Sequence, residues 1–352
     1  MTVPALLAIA APLTLSAAQA APSTRDHAAK PSAGASHRSK AMPPKRAVLF
    51  GLDDHWETEI VTDDQQDKAK SGIVGTFLTW KQTNVSATTE AHEVVHYAQW
   101  ARHRGAIPMV ALSPPASVTL RSINMGSQNA TLAAYAKALR AWNHPFLFRL
   151  FPEMNGNWES YSPGVHGNTV VQFRRAFRHV VRLFRHYGAN KVKFVWNPDK
   201  ELTKPRESLR SLWPGKKYVN WTGIDVFDRE DKAHGRYPNP VAAIRKTAAD
   251  IRKITHKPIM IAEAGTVTSS RKPTWIRQLF TGTAPLGVRA VVYFNEEIPD
   301  RASGVSVNWR LNSSSSALAA TKRTLAGTAV AWPGHNHGTL LHDEYLISKG
   351  HW

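Results

Sequence analysis

The feature that most constrains this chain is the alternation of eight short β-rich runs with helix-patterned stretches. The runs fall at 47–51, 73–80, 107–112, 146–153, 192–196, 221–227, 258–264 and 288–295. Several are almost continuously apolar, as expected of strands covered on both faces. Helical spacing is clearest over 90–104, 131–142, 170–187, 241–255, 274–280 and 315–323. In 170–187 the stripe is Val171, Phe173, Phe177, Val180, Val181 and Phe184, with Gly188 placed to end the helix. The stretches after the first run and after Trp196 show no clear pattern. Eight β-then-α units predict an α/β fold, a (β/α)8 TIM barrel in a single catalytic domain. An open, doubly wound sheet is the alternative. No Gly-rich phosphate loop follows a strand, which counts against a nucleotide fold.

The barrel is expected over 47–325. Residues 5–18 are apolar or small and lead to Ala18-Gln19-Ala20, so 1–20 reads as a signal peptide cleaved on export. No Lys or Arg precedes the apolar run, and an uncleaved anchor is the competing reading. Residues 21–46 are rich in Ala, Ser, Pro, Lys and Arg and read as a disordered basic linker. Residues 326–352 form a C-terminal extension whose His335, His337, His342 and His351 lack metal-site spacing. Cysteine is absent, which excludes disulfides and leaves stability to the core. The net charge of +19 suits anionic partners, such as cell-wall polymers or acidic glycans. The basic residues, for example Arg174, Arg175, Arg178, Arg182 and Arg185, form no nucleic-acid motif. A monomer is expected, secreted to the extracellular space, with no nucleic-acid partner and no membrane contact after cleavage.

Two glutamates close β-rich runs. Glu153 ends Phe-Arg-Leu-Phe-Pro-Glu and Glu263 ends Pro-Ile-Met-Ile-Ala-Glu. In a (β/α)8 barrel that end of the strands is the catalytic face. Glycoside hydrolysis needs two carboxyl groups of unequal proton affinity, one to protonate the leaving oxygen and one to attack the anomeric carbon. Arg149 lies four residues before Glu153, so strand alternation would point both inward, and its cation could keep Glu263 ionised. Trp56, Trp80, Trp158 and Trp196 fall at or just after strand ends, where indoles can stack on sugar rings. The bland alternative is that these tryptophans pack loops onto the barrel.

From Val48 to Leu318 the sequence resembles family 26 of the glycoside hydrolases, the β-mannanase family of a retaining (β/α)8 clan. The resemblance is carried by collinear segments. These are Arg149–Trp158, His179–Val181 with Val192–Pro198, Trp213–Gly215 with Val219–Asp225, Pro258–Gly265, Ala290–Asn295 and Asn308–Arg310. It implies Glu153 as acid/base, Glu263 as nucleophile, and Trp158 and Trp196 as site aromatics. Arg149, Asn155, Trp80, Phe227 and Tyr293 complete the substrate-binding candidates. No cofactor and no metal are implied. The chain departs from the family in two places. Pro152 stands where the family has His before the acid/base, and Phe227 where it has Tyr on strand six. A barrel that binds sugar without cleaving it is therefore the second reading. The first reading is a secreted, retaining, endo-acting hydrolase whose expected substrate is β-1,4-mannan or a related β-glycan; mixed-linkage glucan, β-1,3-xylan and an acidic exopolysaccharide stay open beside mannan. His92-Glu93-Val94-Val95-His96 also has the spacing of a zinc peptidase helix, with His92 and His96 as ligands and Glu93 as base. The barrel places it on an outer helix.

Overall fold

The computed structural model describes residues 47–54, 57–80, 86–200, 207–230, 236–299 and 306–335. The chain alternates β1 (Val48–Asp53), α1 (Glu57–Asp67), β2 (Ile73–Thr79), α2 (Ala87–His103), β3 (Ile107–Ser113), α3 (Leu120–Asn124), α4 (Asn129–Trp142), β4 (Phe146–Leu150) and α5 (Val170–His186). It continues with β5 (Val192–Trp196), α6 (Leu209–Leu212), β6 (Trp221–Asp228), α7 (Pro240–Ile254), β7 (Ile259–Thr266), α8 (Lys272–Gly282) and β8 (Val288–Phe294). After β8 come a short antiparallel hairpin, β9 (Glu297–Pro299) and β10 (Ser306–Asn308), then α9 (Ser315–Leu325) and β11 (Val330–Ala331). Strands β1 to β8 are parallel neighbours in chain order. Pairing of β1 with β8, from Leu49 against Ala290 to Asp53 against Phe294, closes the ring. Closure excludes the open sheet and gives the (β/α)8 barrel.

Two layers of apolar side chains hold the barrel. Inside lie Leu49, Ile73, Met109, Leu147, Val195, Trp221, Met260 and Val292. Outside, the helices bury their stripes on the sheet. In α5, Phe173, Phe177, Val180, Val181 and Phe184 are all buried, and Thr169 with Gln172 forms a capping box at its start. Each such side chain contributes about 1.5–3 kcal/mol on burial. Helix α1 escaped the periodicity because its buried face is acidic: Ile60 is joined there by Asp63, Asp64 and Asp67. The barrel also extends past residue 325. Val330 and Ala331 pair with Val48 and Leu49, so the beginning of the expected extension belongs to the sheet.

Alternation carries the inner apolar columns upward into polar residues at the C-terminal mouth. Leu49 leads through Gly51 to Asp53, Leu147 to Arg149, Val195 to Asn197, and Trp221 through Gly223 to Asp225. Strand β7 breaks the rule. Ile224 pairs with Ile261 but Asp225 pairs with Glu263, so Ala262 is an extra residue in β7. Ala262 lies in the inner core, and the bulge lets the next residue, Glu263, face inward as well.

Candidate active site

Strand β4 stops at Leu150, three residues before Glu153. The expected alternation from Arg149 to Glu153 therefore does not operate. Instead Phe151 and Glu153 both take left-handed backbone angles, φ 53° each, on either side of Pro152. Such angles are costly for residues with side chains and persist where the surroundings impose them. Three contacts impose them here. The Tyr161 hydroxyl donates to the Pro152 carbonyl at 2.7 Å, the Glu153 amide donates to the Asn197 carbonyl at 2.7 Å, and the Gly156 amide donates to the Glu153 carbonyl at 2.9 Å. The turn places the half-buried Glu153 side chain in the mouth, where Trp158 Nε1 donates to its Oε2 at 2.6 Å. Position 156 must be glycine for this, since a Cβ there would lie 2.5 Å from the Trp158 ring.

Across the mouth, Arg149 is fully buried and organises the opposing acids. Its Nη2 donates to Glu263 Oε2 and to Asp225 Oδ2, each at 2.8 Å, and its Nε donates to Asn197 Oδ1 at 2.6 Å. Its Nη1 lies 3.7 Å from Asp53 Oδ2, and the guanidinium sits over the Phe77 ring at 5.5 Å. Gly75 makes room for Asp53: a Cβ there would come within 2.6 Å of Asp53 Oδ2. One cation thus faces three buried carboxyl groups, so some must keep their protons. Burial and the neighbouring Glu263 push Asp53 well above the usual carboxylate range. Burial also pushes Asp225 well up, against the pull of Arg149.

The two glutamates sit in unlike fields. Burial, then the negative charges of Asp199, Asp225, Glu263 and Glu159, push Glu153 well above the usual carboxylate range. Burial raises Glu263 too, but Arg149 pulls it down both by charge and by hydrogen bond. Glu153 therefore holds a proton under conditions where Glu263 is ionised. Glu159, beside Trp158, is pushed by burial up to about 7.

The other candidates divide. Trp158 joins Glu153, and Phe227 stays half-buried at the mouth with Trp309 at 5.2 Å and Phe294 at 5.6 Å. Trp80 and Trp196 are each 0% exposed, the first edge-on to Phe151 at 5.8 Å and the second to Trp213 at 5.2 Å. They pack the loops that carry the acids, and neither offers a face for stacking. Asn155 commits both ends of its amide to the backbone of Asp199, at 2.8 and 3.0 Å, and so braces that loop. Tyr293 is buried and its hydroxyl donates to the Trp309 carbonyl at 2.9 Å. Trp56 lies outside the described residues. His92 and His96 are exposed on α2, with Glu93 half-buried between them, and among the described residues no group of three His, Asp or Glu could hold a metal ion. The sequence reading missed Asp53, Asn197, Asp199 and Asp225. For the three aspartates a signal was present, since an Asp within or just after an apolar strand is rarely buried without a task.

The profile of glycosyl hydrolase family 26 matches residues 49–271, which includes Glu153, Arg149 and Glu263. The chain belongs to glycosyl hydrolase family 26. It is similar to endoglucanase H of Acetivibrio thermocellus, with 28% identity over 275 residues, 76% of this chain and 29% of that protein. It is also similar to the β-1,3-xylanase TXYA of a Vibrio species, with 25% identity over 113 residues, 32% of this chain and 23% of that protein. The chain thus spans less than a third of the length of these relatives. Among solved structures, a family 26 β-mannanase from Bacteroides ovatus superposes with a TM-score of 0.62 at 16% identity, covering 85% of this chain and 94% of that one. An endo-β-1,4-mannanase double mutant from Cellulomonas fimi gives 0.64 at 14% identity, covering 87% and 75%. At those identities the likeness is one of fold.

Within this family 26 site, the contact between Trp158 and Glu153 has a measurable consequence. The indole N–H favours the ionised form of the carboxyl it touches. Trp158→Phe removes that bond while keeping an aromatic side chain, so the proton affinity of Glu153 rises and its proton becomes harder to give up. The expected result is a fall in kcat of about tenfold to a hundredfold, with the alkaline limb of the pH–rate profile moved upward. An unchanged limb would leave the indole with a packing role only.

Proposed function

We propose that the chain is an exported, retaining endo-acting hydrolase of a β-linked polysaccharide, in which Glu153 is the acid/base and Glu263 the nucleophile. The observation that carries this reading is the unequal treatment of the two acids. Glu263 is clamped by a buried guanidinium, whereas Glu153 faces four other carboxyl groups and receives a single neutral N–H. In the first step Glu263 Oε forms a bond to the anomeric carbon, and the C–O bond to the leaving sugar breaks as its oxygen takes the Glu153 proton. In the second step Glu153, now a carboxylate, takes a proton from water as the water oxygen displaces Glu263. Residues 1–20 and 21–46 serve as signal peptide and linker in this reading. N-terminal sequencing of exported protein would check that, and an intact residue 1 would count against cleavage.

For the sugar we favour a β-glucan over β-1,4-mannan. The relative that aligns over most of the chain is called an endoglucanase, and Pro152 and Phe227 remove the His and Tyr of the β-mannanase pattern. β-1,4-Mannan stays as the second reading because the remaining motif segments resemble that pattern. Digestion of mixed-linkage glucan, β-1,4-mannan, β-1,3-xylan and an anionic exopolysaccharide, with product sizing, separates these substrates. A β-anomer as the first-formed product supports retention, and an α-anomer would remove Glu263 as nucleophile. The pH–rate profile should be bell-shaped. Activity is lost on the acid side as Glu263 takes up a proton, and on the alkaline side as Glu153 releases its own. The alkaline limb should fall well above the usual carboxylate range, because burial and like charges raise Glu153.

A further inference from the structure

At the pole opposite the mouth, the fold gathers cations from three separate segments around one tyrosine. The second half of α5 runs toward the start of β5. The segment before β6 carries Lys216, Lys217 and Tyr218, and Lys257 precedes β7. All three segments lie at the N-terminal ends of the strands. Arg178, Arg182 and Lys217 lie 5.5, 6.0 and 5.3 Å from the Tyr218 ring. Loss of water around the Tyr218 phenol would raise it, but hydrogen bonds from Arg182 and Lys217 and the charges of both bring it below its ordinary value. Burial and the charges of Arg185 and Lys216 hold the Lys257 ammonium below its ordinary value. Six cations thus crowd one surface, and Arg182, Arg185, Lys216 and Lys217 are exposed.

None of the six is ion-paired with a carboxylate among the described residues. Two acids of the neighbouring segments are occupied elsewhere, Glu207 with Ser211 and Asp250 with Lys246 and Lys253. Uncompensated like charges cost free energy in the free protein, and a bound polyanion relieves that cost while releasing its own counterions. Tyr218 is buried, so the surface presents no aromatic face for stacking a base. What remains is a set of ammonium and forked guanidinium groups, the chemistry that holds phosphate.

We propose that this pole is a docking surface for a linear, phosphodiester-linked polyol of the cell envelope, which would hold the hydrolase with its mouth turned away from the polymer. The proposal goes beyond the catalytic reading and can fail separately from it, because binding and hydrolysis are measured apart. The test titrates the full chain with poly(glycerol phosphate), polygalacturonate and duplex DNA across a salt series. The patch variant combines Arg182→Ala, Lys216→Ala and Lys217→Ala, and the control removes three exposed cations elsewhere, Lys70→Ala, Arg121→Ala and Arg323→Ala. The patch variant should bind poly(glycerol phosphate) about a hundredfold more weakly, with a salt dependence shallower by about two to three ions. The control should stay within about threefold of the parent, and all three proteins should hydrolyse soluble glycan alike. Equal losses in both variants would reduce the effect to net charge and overturn the proposal. Tighter binding of DNA or polygalacturonate than of poly(glycerol phosphate) would overturn the phosphodiester polyol as the partner.

Discussion

Replacement of Glu263 by Gln is expected to lower kcat by at least about 10⁴-fold on polysaccharide and on activated aryl glycosides alike, because in the proposed mechanism every substrate needs the carboxylate to form the covalent intermediate. Glu153→Gln should behave differently. On polysaccharide it should lose about 10²–10⁴-fold, the range for removing a general acid. On an aryl glycoside with a good leaving group the first step needs no proton, so a burst of released phenol should precede slow turnover by water. The amide also removes the base of the second step, so the covalent intermediate should accumulate and be detectable by intact mass. Loss of the burst in Glu153→Gln, or survival of turnover in Glu263→Gln, would reverse or remove the assignments. Circular dichroism should match the parent, since each change is close to isosteric.

The second large effect concerns Arg149. Arg149→Met deletes the cation that holds Glu263, Asp225 and Asp53 and leaves three buried carboxyl groups facing one another. Breaking a buried ion pair by removing one partner typically costs about 3–5 kcal/mol. Here the cost should depend on pH. Without the guanidinium the folded-state proton affinities of all three acids rise further above their unfolded values. For a carboxyl group with a raised folded value, stability falls as pH climbs from the unfolded value toward the folded one. The deficit of Arg149→Met should therefore be largest near neutrality and shrink toward pH ~3, where the groups are mostly protonated in both states. Denaturant melts at the two pH values check this, and an equal deficit at both would mean that Arg149 acts through packing alone. Activity should fall together with stability at neutral pH, because Glu263 would hold a proton where the proposed mechanism needs it ionised.

Much of this architecture was legible in the sequence. All eight barrel strands lie where short apolar runs were found, and the longer helices follow from their stripes. Glu153 and Glu263 could be singled out because each closes an apolar run inside a segment that carries the resemblance to family 26. The readable signal failed where burial is polar. Helix α1 hides Asp63, Asp64 and Asp67 against the barrel, so no apolar periodicity marks it. Asp53, Asn197 and Asp225 escaped because only the closed ring brings their strands around Arg149. Trp80, Trp196, Asn155 and Tyr293 were expected to touch substrate, yet the structure spends them on packing and bracing the loops. Residue type alone cannot say which face of a tryptophan is open.

Local composition thus determined the strand–helix alternation, the closed barrel it favours and the two acids on its upper rim. Those properties follow from side-chain periodicity and from the few residue types able to do this chemistry. The tertiary structure decided how Glu153 and Glu263 reach the mouth. Glu153 arrives through a left-handed turn past the end of β4, and Glu263 through a one-residue bulge in β7. Both depend on contacts from distant segments, Tyr161 and Asn197 in one case and the register against β6 in the other. Pattern along a chain carries no record of such contacts. The unequal proton affinity of the two acids was also decided there, because it depends on which charges and how little water surround a group in space.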